Sequence, residues 1–424
     1  LMADLLERNH QRVEAARLLE RLRSRERDRG KLHDINLRQA RLLASVEGNE
    51  TEALAAAERA VSLNPGHRES VALLTHLLAR SGQSKRLAEF LPSIRGAMIT
   101  KITRSALSLR DLRLLTEISR QPRPRLAATA EAVAYAIDPN SGPPPAEHLR
   151  PATPTGLRLV LATGSHRDLL LAGQELHEIH ELLGAVDPVL TRMANDFTVL
   201  SDADVQPVPA GADPNAFTML LGRWAEVAGV PTPAMVAAGT HNACVLLPGP
   251  TPVLRLGVNL WMQGDLQSWR GLAAVALARR AWGGALVRAL PAIDMDLLLA
   301  TCFDTVRVFN AITTDPDSRR LQELSAQLGK HLPRRNRKVI ERSCESLSGY
   351  EFAPSATARA TLASDLRLAA LLSGDIGGVL GAACILDGVA GGPLKQRINR
   401  SSSAQALLAF VLGDDFQQLR ELAC

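Results

Sequence analysis

The amino-acid sequence predicts a mainly α protein in three parts. These are an N-terminal helical-repeat solenoid over residues 1–136, a Pro/Gly-rich linker over 137–156, and an α+β domain with a small sheet over 157–424. Three observations carry this expectation. Ala, Leu and Arg dominate a chain with only 3% aromatic residues, and these side chains lose little entropy in a helix. Two glycines, Gly48 and Gly82, stand 34 residues apart within amphipathic surroundings. The tract Asp138-Pro139-Asn140-Ser141-Gly142-Pro143-Pro144-Pro145, with Pro151, Pro154 and Gly156 after it, sustains neither a helix nor a central strand.

In the N-terminal part, Gly48-Asn49-Glu50-Thr51-Glu52-Ala53 continues with Ala57, Ala60 and Pro65. Small residues at a helix crossing, closed by a proline, describe the second helix of a helical pair. A further unit runs from about Arg68 through Gly82 to about Met98, with the bulkier Leu87 and Leu91 at its crossing. Upstream, Arg12 to Leu22 reads as another second helix, offset by the charged insert Arg23 to Lys31. Amphipathic segments follow near Ser105–Ser119 and Arg123–Ala136. The period and the small residues resemble the tetratricopeptide repeat, in which each helix pair buries the apolar face its neighbour leaves open. That resemblance implies binding through a concave face. Its register places Arg38, Leu42 and Ser45, then Glu69, His76 and Arg80, on that face; the same positions also fit plain solvent exposure.

Beyond Gly156 the texture changes. Leu157 to Ala162 alternates weakly toward a strand, and Pro214 to Ala228 reads as a helix. Three short apolar runs, Ala234–Ala238, Ala243–Leu247 and Pro252–Leu256, are separated by Gly, Asn and Pro, which predicts a small sheet. A long helical pattern, Gln267 to Leu290, precedes further helices to the end.

The order helix, Gly229-Val230-Pro231-Thr232-Pro233, strand, Asn242-Ala243-Cys244, strand, helix resembles the gluzincin metallopeptidases of the CAAX-prenyl-protease and heat-shock-protease kind. The resemblance implies a zincin-like domain in which Leu272 to Leu277 approaches the active helix. Ser364-Asp365-Leu366 to Asp375 falls where that family carries its third ligand. The chemistry departs from the pattern. Such a site needs two His at i and i+4 with a Glu base between them. Here the matching register reads Ala278-Arg279-Arg280-Ala281-Trp282, and Ala356 to Ser364 contains no Glu. The resemblance therefore implies a degenerate peptidase without zinc. An Arg at position 279 is always charged, so under the resemblance it is expected to pair with an acid, Asp365 first, with Trp282 filling the vacated volume; the alternative is an exposed face on which Arg279 reaches solvent along its aliphatic stem.

Other chemistries find less support. His177-Glu178-Ile179-His180-Glu181 spaces its two His three apart, within an amphipathic pattern whose apolar face is Leu176, Ile179, Leu182 and Leu183; it reads as a surface helix. The glycines at 374, 377, 378 and 381 follow a helical pattern, and neither a GK[ST] nor a GxSxG motif occurs. The net charge of +5 is spread over 49 basic and 44 acidic residues. The densest basic run, Lys330, Arg334, Arg335, Arg337, Lys338 and Arg342, reads as a solvated helix start after Pro333, which disfavours nucleic acid as partner.

Five cysteines at least 40 residues apart, with no CxxC pair, point away from a disulfide framework and toward a reducing, cytoplasmic setting. No run of about 18 apolar residues predicts a membrane span. Position 1 is Leu and lies inside a helical pattern, so sequence is expected upstream. Together these readings describe a non-catalytic interaction or assembly protein with no cofactor and no metal. Its partner would be another protein or its own subunits, and its peptidase-like part a pseudoenzyme. The alternative is an enzyme of another type in the C-terminal part.

Overall fold

The computed structural model describes residues 2–104, 107–120, 122–141, 150–172, 176–190, 205–207, 214–238, 244–247, 252–309, 318–350 and 355–424. Mainly helical, the chain divides near residues 135–143 into two compact units. Among the described residues no helix is long and apolar enough to cross a membrane.

The first unit is built from α1 (Met2–Arg8), α2 (Arg12–Arg23), α3 (Arg29–Ala44), α4 (Glu50–Leu63), α5 (Arg68–Arg80), α6 (Leu87–Arg104), α7 (Leu109–Ser119) and α8 (Pro124–Ile137). From α1 to α5 each helix packs on the next, and α3 also meets α5. The tightest crossing is α3 on α4, where Ala40 faces Ala53, Ala56, Ala57 and Ala60 from within the core; small side chains let the backbones approach closely. Gly48 (φ 81°) and Gly82 (φ 70°) end α3 and α5 in the left-handed region that a side chain would strain. The charged insert after α2 is shorter than its sequence suggests. Asp28 caps α3 by accepting from the Lys31 amide at 2.8 Å, so the helix already starts at Arg29. Ser105, the expected start of the next segment, lies outside the described residues, and α7 begins at Leu109.

The second unit opens with α9 (Pro154–Ala162), α10 (Gly164–Leu170), α11 (His177–Leu190) and α12 (Pro214–Ala228). The expected strand at 157–162 is thus a helix. Thr153 accepts from the Gly156 amide at 3.0 Å and Pro154 occupies the first helical turn, two start signals that outweigh a weak alternation. Residues 152–156 are also no free linker: the Ala152 amide donates to Leu372 O and the Thr153 amide to Ala423 O.

The sheet has β2 (Ala234–Ala238) parallel to β4 (Val253–Leu256), with β3 (Cys244–Leu247) antiparallel to β4. A short β1 (Val205–Pro207) adds antiparallel to the edge of β2, giving the order β1-β2-β4-β3. Asn242 and Ala243, on which part of the peptidase resemblance rests, lie outside the described residues.

After α13 (Val258–Gln263) comes the central helix α14 (Leu266–Ala281), then α15 (Ala292–Val306), α16 (Ser318–His331) and α17 (Arg334–Leu347). The chain ends with α18 (Ala356–Ser373), α19 (Ile376–Leu386), α20 (Leu394–Arg400), α21 (Ser402–Val411) and α22 (Asp414–Ala423). Residues 271–279 of α14 are buried without interruption, the mark of a helix enclosed on all sides. It is shorter than the expected run to Leu290. Gly283, at φ 82°, ends it, and Val287–Ala289 forms a separate 3₁₀ turn.

The glycine run of α19 serves this packing. A Cβ at Gly271 would lie 1.8 Å from the Gly378 carbonyl oxygen, so α14 and α19 cross backbone to backbone. A second part of the core joins α11, α15 and α17 through Leu182, Val186, Leu298, Cys302, Ile340 and Cys344. Four cysteines are buried and Cys424 is exposed, all as free thiols. Arg334, Arg335, Arg337, Lys338 and Arg342 are exposed on α17, which Pro333 starts.

Candidate functional site

In the first unit, α1, α2, α3 and the start of α5 enclose an open groove of about 840 Å³. The side chains of Asp34, Arg38, Arg41 and Ser45 follow one stripe of α3 at helical spacing and form its floor. Glu7, Arg8, His10 and Arg12 supply one wall, and His67 and Glu69 the other. Arg38 bridges to Asp4 and to Glu7 on α1, the latter at 2.6 Å, while Arg41 pairs with Glu69. The hydrogen bond from Arg38, with its charge, holds the Asp4 carboxyl below its ordinary range. These pairs are half-exposed and screened, so they shape the groove more than they stabilise it. Among the described residues Arg8 and Arg12 have no ion-pair partner.

At the junction of α3 and α5 lies a cluster that the repeat register did not indicate. His33 Nδ1 is 3.0 Å from Asp34 Oδ1, and His33 Nε2 is 2.9 Å from Ser70 Oγ. Ser70 Oγ is also 2.9 Å from His67 Nδ1, and the two imidazoles meet edge to face at 4.5 Å. The connectivity Asp–His–Ser is that of a nucleophilic triad, yet Ser70 is fully buried. Burial, followed by the neighbouring His33, pushes His67 below the ordinary imidazole range.

In the second unit, Asp365 of α18 is wholly buried between two arginines. Arg279 Nε, in the last turn of α14, donates to Oδ2 at 2.8 Å. Arg288 Nε, in the 3₁₀ turn, donates to Oδ1 at 2.6 Å. Each guanidinium also reaches a carbonyl oxygen: Arg279 Nη1 donates to Cys244 O at 2.8 Å and Arg288 Nη2 to Thr361 O at 3.3 Å. Arg288 also donates to His180 Nδ1 at 3.3 Å and lies 5.3 Å from the centroid of the Trp282 ring. Trp282 meets His180 edge to face at 4.6 Å. Burial and the Arg288 charge beside it push His180 down to about 3, so His180 is neutral and its Nδ1 accepts. Both carboxylate oxygens of Asp365 thus accept from a guanidinium N–H.

Beside this cluster is an apolar cavity of about 380 Å³. Its walls include Val230, Pro231, Leu246, Pro252 and Leu286, with Asp187 and Arg280 as the charged groups. Asp187 Oδ1 accepts from the Leu286 and Val287 amides at 2.7 and 2.8 Å. Burial nevertheless raises this carboxyl above its ordinary range.

The structure gathers Arg38, Leu42, Ser45 and Glu69 in the groove, whereas His76 and Arg80 point to solvent on α5 and do not join it. Arg279, Trp282 and Asp365 come together, with Ala278 buried behind them. Arg288 and His180 complete the cluster unforeseen: the 177–181 tract is not a plain surface helix, since its second His is half-buried against Trp282. Its first, His177, pairs near the surface with Glu181 at 3.1 Å. Among the described residues no three His, Cys, Asp or Glu side chains converge as metal ligands. Compared with family models, with curated proteins and with solved structures, the chain matches none.

Proposed function

We propose that the chain is a non-catalytic protein-interaction or assembly protein. In this reading the groove of the first unit receives a segment of a partner, and the second unit is a pseudoenzyme related in arrangement to a zinc peptidase. The observation that carries it is the Arg279–Asp365–Arg288 network. Where the resemblance calls for a catalytic base and a ligand-bearing helix, buried ion pairs tie α14 to α18 and engage both oxygens of Asp365. The groove supports the other half: two unpartnered arginines stand on a concave wall, a setting suited to an acidic segment.

The test has two arms. The purified chain is expected to hold no stoichiometric zinc and to show no chelator-sensitive cleavage of casein or a peptide library; such cleavage overturns the pseudoenzyme reading. Quantitative pull-downs from the native host then compare the wild type with Arg8→Glu/Arg12→Glu and with His76→Ala/Arg80→Ala. Partners are expected to be lost only with the first pair. Equal retention by both variants places the interface elsewhere.

The cavity beside Asp187 favours a second reading, a small-molecule site in the second unit, because apolar walls around few polar groups are the usual form of such sites. A ligand-dependent rise in the melting temperature, abolished by Leu246→Trp, would support it.

A further inference from the structure

Two opposite charges stand unpaired on the wall of the cavity in the second unit. Asp187 lies in α11, one residue before Pro188, and is buried, with 7% of its surface exposed. The loop after α14 fixes its carboxylate. The Leu286 and Val287 amides donate to Oδ1 at 2.7 and 2.8 Å, and the Ala285 amide also favours the ionised form. Oδ2 accepts no hydrogen bond among the described residues. A buried carboxylate oxygen is rarely left bare, so Oδ2 is open to a donor that enters the cavity.

Arg280, in the last turn of α14, is the second charge. It is exposed, so it stands at the mouth, and it makes no ion pair among the described residues. Its charge acts on the Asp187 carboxyl, yet the two groups do not meet as a salt bridge. Burial outweighs Arg280 and the amides and raises that carboxyl above its ordinary range, so the anion is short of positive charge. The rest of the wall is apolar, formed by Val230, Pro231, Leu246, Leu247, Pro252 and Leu286. A volume of about 380 Å³ admits about a dozen non-hydrogen atoms, at roughly 30 Å³ for a water.

An occupant must bring a cationic donor to Oδ2, an anion to the guanidinium and a short apolar body. An amine leaves Arg280 unused, and a carboxylic acid leaves Oδ2 bare with a like charge nearby. An α-amino acid carries both charges on one carbon. We propose that the cavity binds a free α-amino acid with an apolar side chain: its ammonium donates to Asp187 Oδ2, its carboxylate pairs with Arg280, and its side chain packs on the apolar wall. This names the ligand class for the small-molecule reading of the cavity and depends on that reading.

Titration calorimetry on the full chain tests it with four probes of one shape. L-phenylalanine has both charges, phenylalaninamide only the ammonium, hydrocinnamate only the carboxylate, and hydrocinnamyl alcohol neither. Phenylalanine is expected to bind about tenfold tighter than each of the others. Asp187→Asn keeps an oxygen for the Leu286 and Val287 amides. It is expected to weaken phenylalanine and phenylalaninamide about tenfold and leave hydrocinnamate no weaker. Arg280→Gln, at an exposed position that puts the fold at no risk, is expected to weaken phenylalanine and hydrocinnamate several-fold and spare phenylalaninamide. Leu246→Trp fills the cavity and is expected to abolish binding of all four. If the alcohol binds as tightly as phenylalanine, the proposal is overturned while the small-molecule reading stands. Phenylalanine binding that ignores both charge substitutions, or that survives Leu246→Trp, overturns it as well. Binding of none of the four at millimolar concentration overturns the proposal and the reading together.

Discussion

Removing the Asp365 carboxylate is the sharpest perturbation available. In Asp365→Ala, Arg279 and Arg288 keep their places in the core, with 6% and 1% of their side chains exposed, and lose the carboxylate they share. Neither stem has a short path to water, so the uncompensated charges cost about 3–5 kcal/mol of unfolding free energy. The carbonyl oxygens of Cys244 and Thr361 soften this loss without neutralising it. Replacing the set together, Arg279→Met/Arg288→Met/Asp365→Leu, removes the charges with the carboxylate and is expected to return the stability to within about 2 kcal/mol of wild type. All four tryptophans, Trp224, Trp261, Trp269 and Trp282, fall in the second unit, so intrinsic fluorescence during urea unfolding reports that unit selectively. A loss below about 1 kcal/mol in Asp365→Ala, the scale of a surface pair, refutes the argument. So does a triple variant as unstable as the single one.

Three further outcomes follow from the same geometry. His180 sits at about 3 against an ordinary 6.5, so below pH 6.5 the unfolded chain binds a proton that the folded chain does not. Stability must then fall with acid, by about 2 kcal/mol between pH 6.5 and pH 5, and His180→Gln should remove that part of the slope in the same urea assay. Gly271→Ala places a methyl where the Gly378 carbonyl oxygen lies 1.8 Å away, and is expected to destabilise by about 1–3 kcal/mol or to prevent folding. Circular dichroism melts distinguish it from Gly349→Ala, where a methyl meets nothing within 4 Å and no comparable loss is expected. Arg38→Ala removes half-exposed pairs and is expected to leave the melt of the first unit unchanged; a clear drop would mean that the groove pairs stabilise the fold.

The sequence was most legible where a signal is local. Prolines marked helix boundaries at Pro65 and Pro333, and the alanines of α4 marked a close crossing, because backbone sterics and small volumes act within a few residues. Pairing across long separations was legible only where chemistry left one choice. Arg279 needed an acid, and Asp365 was the candidate that the resemblance placed nearby. Arg288 reaches the same carboxylate from a turn that exists only because Gly283 ends α14, so a helix drawn to Leu290 hid it. His180 looked like a surface residue because its neighbours made an ordinary amphipathic stripe; the ring it packs against, Trp282, is a hundred residues away. The weak alternation at 157–162 lost to Thr153 and Pro154, whose capping and first-turn preferences are stronger than a short polarity pattern.

Charge is used in opposite ways in the two units, and this has a measurable consequence. The groove pairs Arg38–Glu7 and Arg41–Glu69 lie in solvent, where salt screens them over about 10 Å at ordinary ionic strength. The Arg279–Asp365–Arg288 network is enclosed, with its polar atoms aimed at carbonyl oxygens and a neutral imidazole, and mobile ions do not reach it. If the groove receives an acidic segment as proposed, that binding is expected to weaken as salt rises, while the folding free energy of the second unit stays nearly constant. Separating the two is direct, since partner binding and tryptophan-detected unfolding can be followed across the same salt series. A second unit that loses stability in step with binding would show that its ion pairs are open to solvent, against the enclosed geometry of Arg279, Asp365 and Arg288.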